Sequence, residues 1–156
     1  MIIAPDDFLA PEEEYTETFT PARMKRARRE AWAKLAQEIR TGWYNKLYVL
    51  SGAPASGKST WARENDAEDV LIFDACHVSK QSKQRVADIA RENGFDGEFI
   101  LVVMHTPLKT CIERNRARKG KTVPEGVLRD IYRNIGSPED LVKPFLKTYH
   151  VPGGEL

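Results

Sequence analysis

Cysteine is scarce in this chain: its 156 residues include only Cys76 and Cys111. Two thiols make neither a disulfide framework nor a metal cluster, so a reducing, cytoplasmic setting is the expectation, with both side chains small and at least half-buried. Long apolar runs are missing as well. The longest, Val70 to Phe73 and Phe99 to Met104, fall far short of the roughly 20 residues needed to cross a bilayer, which argues against a membrane partner. The acidic N-terminus lacks the basic start and apolar centre of a secretory signal. Internal repeats and low-complexity tracts are absent, and nothing in the pattern speaks to oligomeric state. Excess charge of either sign is nearly absent too, with 24 Lys and Arg against 23 Asp and Glu. What remains is ordinary for a soluble protein: 41% apolar and 30% charged residues, in a length that buries one core and leaves little for a second.

The small net charge hides an uneven distribution. Residues 1–20 carry Asp6, Asp7, Glu12, Glu13, Glu14 and Glu17 and no base, which reads as an acidic arm, flexible or laid across the surface. The sign then reverses. Arg23, Lys25, Arg26, Arg28, Arg29, Lys34 and Arg40 share a predicted helix over 21–41 that begins at Pro21, with Met24, Ala27, Ala31, Trp32, Leu35 and Ile39 on its apolar side. Three readings stay open for it: a solvated face, a track for nucleic-acid phosphates, or a partner onto which the acidic arm folds back.

Strand and helix signals alternate after that. Lys46 to Leu50 and Val70 to Phe73 read as buried strands, Ser79 to Asn93 as a helix capped by Ser79 and ended by Gly94, and Phe99 to Met104 as another strand. Thr106-Pro107 starts a helix to about Arg118, with the threonine capping; Gly120 breaks it; Pro124 opens another through Ile135; Phe145 to Val151 adds a last strand. The alternation predicts an α/β sandwich around a parallel sheet of about four strands, plus the added N-terminal helix. A single domain over 21–151 follows, with the arm before it and a tail over 152–156.

The chemistry centres on Gly52-Ala53-Pro54-Ala55-Ser56-Gly57-Lys58-Ser59, the pattern G-x-x-x-x-G-K-[ST] of a P-loop (Walker A motif). A Gly-rich turn with an incidental lysine is the competing reading. The strand before it and the helix-capable stretch from Thr60 weigh against that. Gly52 and Gly57 are expected to let successive amides turn inward around a phosphate, and the helix beginning near Gly57 adds unpaired donors and its positive dipole end. Lys58 is placed to reach the β- and γ-phosphates, and the Ser59 hydroxyl to take one position on Mg²⁺. ATP with Mg²⁺ is the expected cofactor pair.

Ligands of such sheets bind beyond the carboxyl ends of the strands, which singles out Asp74 as a metal-holding acid or as acceptor of a hydroxyl proton. His77, His105 and His150 read mainly as structural, and Trp61 as packed rather than stacked on a base. Arg114, Arg116, Arg118, Lys119 and Lys121 end a helix and enter the loop around Gly120. Such a segment closes over a transferring phosphoryl group as a lid, or is simply a solvated basic helix end.

Here the chain resembles the kinase domain of phage-type polynucleotide 5′-kinases. The likeness spans about Lys46 to Ile135: Leu50 through Arg63, then Glu113-Arg114-Asn115-Arg116-Ala117-Arg118-Lys119-Gly120-Lys121-Thr122-Val123-Pro124, then Val127-Leu128-Arg129-Asp130-Ile131-Tyr132. It implies a three-layer P-loop kinase-like sandwich, transfer of the γ-phosphate of ATP to a nucleic-acid hydroxyl, and phosphate contacts from Arg118 with Arg114 as companion. Phe73-Asp74-Ala75-Cys76-His77-Val78-Ser79 is similar to the family's second acidic strand. One departure stands out. That family carries a strand and helix with the aspartate base between the phosphate-loop helix and this strand, whereas only Ala62 to Asp69 lies between them here. Asp74 therefore replaces the base by its distance from Lys58, or matches the later acid by its neighbours, or serves both purposes. The leading function is phosphorylation of 5′-hydroxyl ends of DNA or RNA. The alternatives are a kinase of a hydroxymethylated base within DNA, a small-molecule kinase, or a nucleotide-binding module without turnover.

Overall fold

The computed structural model describes residues 1–8, 21–74, 80–119, 122–135 and 147–152. Five parallel strands form its one sheet: β1 (Ile2–Ile3), β2 (Lys46–Ser51), β3 (Val70–Asp74), β4 (Glu98–His105) and β5 (Lys147–Pro152), in the spatial order β1-β3-β2-β4-β5. Helices α1 (Pro21–Arg40), α2 (Lys58–Asn65), α3 (Lys80–Glu92), α4 (Leu108–Ala117) and α5 (Glu125–Asn134) connect or flank them. All residues of β3 are buried, because a parallel sheet is covered on both faces and its central strands need apolar side chains in every position.

The two faces use alternate residues of each strand. Leu47, Val49, Leu71, Phe73, Leu101 and Val103 meet one layer of helices, built from Ala31, Leu35 and Ile39 of α1 and Val86, Ala87 and Ala90 of α3. Ala27, Ala31, Leu35 and Ile39 recur every fourth residue and are at most 5% exposed, the stripe expected of a helix laid on a sheet. Each large side chain so buried contributes roughly 1.5–3 kcal/mol. Leu50, Ile72, Ile100 and Val102 face the opposite side, where Ala62 and Trp61 of α2 pack on them. A third cluster joins Cys111 and Ile112 of α4 to Leu128 of α5 and to Ala53 of the phosphate loop. This is the α/β sandwich of a P-loop kinase-like protein.

Two details differ from the sequence expectation. The sheet has five strands where about four were expected. The additional one comes from the acidic arm: Ile2 and Ile3 pair with Ile72 and Phe73, the Ile72 amide donates to the Met1 carbonyl at 2.9 Å, and Ile3 is only 2% exposed. Two residues are too few for a periodic signal, and this strand exists because β3 offers it an edge. Thr106 does not cap α4. Pro107 occupies the cap position without a side-chain bond, and the Thr106 hydroxyl donates instead to the Ser56 carbonyl at 2.7 Å. Among the glycines, Gly94 takes the left-handed turn foreseen at the end of α3, with φ 80°. Cys76, His77, Ser79, Gly120, Lys121 and the glutamates of 9–20 lie outside the described residues. Among the described residues no helix is long and apolar enough to cross a membrane.

Candidate nucleotide site

β2 runs up the middle of the sheet and ends at Ser51, so Gly52 to Gly57 must turn the chain from the carboxyl edge into α2. Gly57 makes that turn with φ 100°. Gly52 is needed for a different reason from the one foreseen: its φ is not positive, but a Cβ there would stand 2.6 Å from Ser56 Oγ and 2.9 Å from Met104 Cβ. Ala55 takes a left-handed φ of 63° despite its methyl group. The Ser56 amide closes back on the Ala53 carbonyl at 3.1 Å, which completes the loop.

Lys58 is the first residue of α2, and the earliest helical bond near it runs from the Trp61 amide to Gly57 at 3.0 Å. The amides of Lys58, Ser59 and Thr60 therefore have no acceptor within the helix and are directed out of its N-terminus, an arrangement suited to an anion. Lys58 is 7% exposed, and its ammonium donates to the Gly52 and Ala53 carbonyls at 2.9 and 3.0 Å, across the mouth of the loop. Ser51 and Ser56 each have a buried hydroxyl oxygen without a hydrogen-bond partner, which leaves polar capacity in and under the loop.

Asp74 ends β3 directly beside Leu50 in the sheet register. It is 8% exposed and accepts the Ser59 hydroxyl at 2.9 Å. A hydroxyl and a buried carboxylate in contact are the oxygen donors that Mg²⁺ selects, with water completing its shell, so Ser59 and Asp74 fit the metal expected with a nucleotide. Bound there, the ion would neutralise charge on the phosphates. No group of three or more His, Cys, Asp or Glu that suits a metal occurs among the described residues.

The arginines divide by role. Arg114 Nη1 stands 3.8 Å from the point where a Cβ on Gly57 would project, so this side chain borders the loop. Lys58, Arg114 and Arg118 all act on Cys111: burial pushes its thiol pKa up, and these three cations pull it back. Arg118, just beyond α4, is exposed. Arg116 is committed elsewhere, donating to both oxygens of Glu125 at 3.1 Å, and Arg129 joins it there at 3.2 Å. That pairing holds the Glu125 carboxyl below its ordinary pKa.

Two contributors escaped sequence analysis. Asn115 clasps the base of the basic loop, donating to the Val123 carbonyl at 2.8 Å and accepting from the Val123 amide at 3.0 Å. Its spacing from buried Cys111 and Ile112 carried the signal, hidden among arginines. Thr106 ties the start of α4 to the phosphate loop through Ser56. Of the histidines, His105 and His150 bond each other at 2.7 Å with stacked rings, at the ends of β4 and β5. Trp61 packs edge-on against Tyr48, 5.0 Å between ring centres, as expected of a packed aromatic.

A family model described as an AAA domain matches residues 65–138, just under half of the chain. The stretch begins at the last residue of α2 and runs through β3, α3, β4, α4 and α5, so it takes in Asp74 and the basic loop but not the phosphate loop. Loop and match are thus separate observations that agree. No match to a curated protein was found. Fold, loop and match together define a nucleotide-binding P-loop protein of kinase-like type.

Proposed function

We propose that this protein is an ATP-dependent phosphotransferase that moves the γ-phosphate to a hydroxyl of a nucleic acid, with a 5′-hydroxyl end as the acceptor. The observation that carries the reading is that donor machinery and a basic helix end lie along one edge of the sheet. Lys58, Ser59, Asp74 and Arg114 gather where the strands end. The short 3₁₀ turn Pro5–Phe8, which follows β1 at that same edge, packs against α1. α1 contributes Lys25 and Arg29, both exposed, from its N-terminal half. Phosphate tracks of this kind position a nucleic-acid backbone without reading its sequence. The lid segment and the V-P-x-x-V-L-R stretch resembling polynucleotide 5′-kinases support the same acceptor class.

In this reading the loop amides and Lys58 grip the triphosphate, and Arg114 and Arg118 face the charge that develops on the transferring group. The test is one labelled-ATP assay across 5′-hydroxyl DNA and RNA oligonucleotides, a duplex with hydroxymethylated bases and blocked ends, and free nucleosides. Label at 5′ ends is expected. Label confined to the modified base or to nucleosides replaces the acceptor, and ATP binding with no transfer at all makes the protein a binding module.

A further inference from the structure

A peptide group is planar and trans, so its C=O and N–H point to opposite sides. Whatever holds the carbonyl of one residue therefore aims the amide of the next. In the phosphate loop the peptide that matters is Ser56–Gly57. Gly57 is left-handed, with φ 100° and ψ 10°, and Lys58 after it is already helical. A left-handed residue followed by a right-handed one makes successive N–H groups converge on one concave side, an arrangement that receives an anion. The amides of Gly57, Lys58 and Ser59 form that set. Those of Lys58 and Ser59 are fixed by α2. The Gly57 amide is not, because glycine takes positive and negative φ about equally readily and the peptide before it is free to turn over.

Thr106 supplies the missing constraint. Its hydroxyl donates to the Ser56 carbonyl at 2.7 Å, and the residue is only 3% exposed, so water does not compete for that bond. The bond holds the carbonyl on the side of β4 and α4, which directs the Gly57 N–H to the other side, with the amides of α2. β4 adds a second contact: Met104 Cε lies 3.4 Å from the point where a Cβ on Gly57 would project, so the loop rests against this strand end. Thr106 also stands two residues before α4, the helix whose Arg114 borders the same glycine. We propose that Thr106 is a positioning residue for phosphate binding, fixing the Ser56–Gly57 peptide with its amide toward the triphosphate. It acts through Gly57 and not by contact with the nucleotide. The inference rests on the ATP-binding part of the reading above and not on the acceptor.

The experiment compares the full chain as wild type, Thr106→Val and Thr106→Ser. Valine keeps the shape and removes the donor, whereas serine keeps the donor. ATP affinity with Mg²⁺ is measured by calorimetry well below each Tm, and the Gly57 amide is followed by ¹H–¹⁵N NMR as ADP is added to saturation. Thr106→Val is expected to weaken ATP by about 10- to 100-fold, the loss of one hydrogen bond to a charged group, with Thr106→Ser within about threefold of wild type. The Gly57 resonance should shift with ADP in wild type and Thr106→Ser and move much less in Thr106→Val. A folded Thr106→Val that binds ATP within about threefold of wild type overturns the inference. So does an equal loss of affinity in both variants that follows Tm, which marks a role in stability alone. If Thr106→Val does not fold, the wild-type resonance decides, and a Gly57 amide unmoved when ADP binds overturns the inference. A wild-type chain that binds ATP but phosphorylates no acceptor overturns the phosphotransferase reading and leaves this one standing; a chain that binds no ATP overturns both.

Discussion

The phosphate loop and the turn Pro5–Phe8 stand at the same edge of one sheet, but they are held there in opposite ways. The loop is shaped largely by contacts among its own residues, with Gly57 turning left-handed, Ser56 closing on Ala53 and Lys58 bonding Gly52 and Ala53, and Thr106 adds a distant bond to the Ser56 carbonyl. The turn is fixed by a strand partner far along the chain, since Ile3 sits opposite Phe73. A locally built site is largely robust to change elsewhere, whereas a turn delivered by an edge strand is as firm as that strand's docking. The two should therefore fail separately.

The largest effect belongs to the loop. Lys58→Ala removes a preorganised charge from the transferring phosphoryl group, and a loss of about 3–4 kcal/mol in transition-state stabilisation, or several hundred-fold in kcat, is expected. Steady-state transfer with ATP saturating checks it. A variant within tenfold of wild type would remove Lys58 from the donor site. On the other side of the comparison, Ile3→Ala empties a position that is 2% exposed and should cost about 2–3 kcal/mol, or roughly 4–10 °C in Tm for a chain of this size. ATP affinity should stay constant. A parallel loss of ATP affinity would mean that the two regions are not independent.

The same contrast decides what was legible from sequence. Everything whose geometry is local could be read: the G-x-x-x-x-G-K-S loop, the strand ending at Asp74, the stripe Ala27, Ala31, Leu35 and Ile39, and the left-handed Gly94. What depended on a distant partner could not. Ile2-Ile3 is no strand until β3 presents an edge, and Thr106 looked like a helix cap because Ser56, fifty residues earlier, is invisible from its neighbours. The basic cluster was legible as a lid or a helix end, but not its division of labour. Only packing could commit Arg116 to Glu125 while leaving Arg114 against the loop.

A buried lysine on α3 sharpens the comparison. Lys83, in the first turns of α3, is 0% exposed, and burial lowers its pKa from 10.5 to about 8. It shares a face of α3 with Val86 and Ala87, which belong to the cluster that receives Ile3 and Phe8. Between about pH 8 and 10.5 the unfolded chain binds more protons at this residue than the folded one, so its contribution to stability rises with pH across that window. The gain is on the order of 3 kcal/mol. Urea midpoints across this range should climb for wild type relative to Lys83→Met, and the difference should be flat below pH 7. Equal slopes in the two proteins would mean that the ammonium is not desolvated, and that the layer beneath the turn Pro5–Phe8 is wetter than its burial implies.

The smallest effect lies within the loop itself. Ala55 holds φ at 63° while only 4% exposed, so Ala55→Gly changes three things at once. Relief of the left-handed conformation favours the variant by about 1–2 kcal/mol. The wider unfolded ensemble of glycine opposes it by about 0.4–1 kcal/mol, and the lost burial of one methyl group by about 0.8 kcal/mol. These nearly cancel, and Tm should move by less than about 2 °C. Affinity is where the change should appear, because a loop that glycine loosens must be ordered again when the triphosphate binds, weakening ATP by a few-fold. Calorimetric titration with ATP beside a thermal melt separates the two. A Tm gain above about 4 °C with unchanged affinity would mean that the loop is strained rather than preorganised, and its independence from the rest of the site would then come from Gly57 and Lys58 alone.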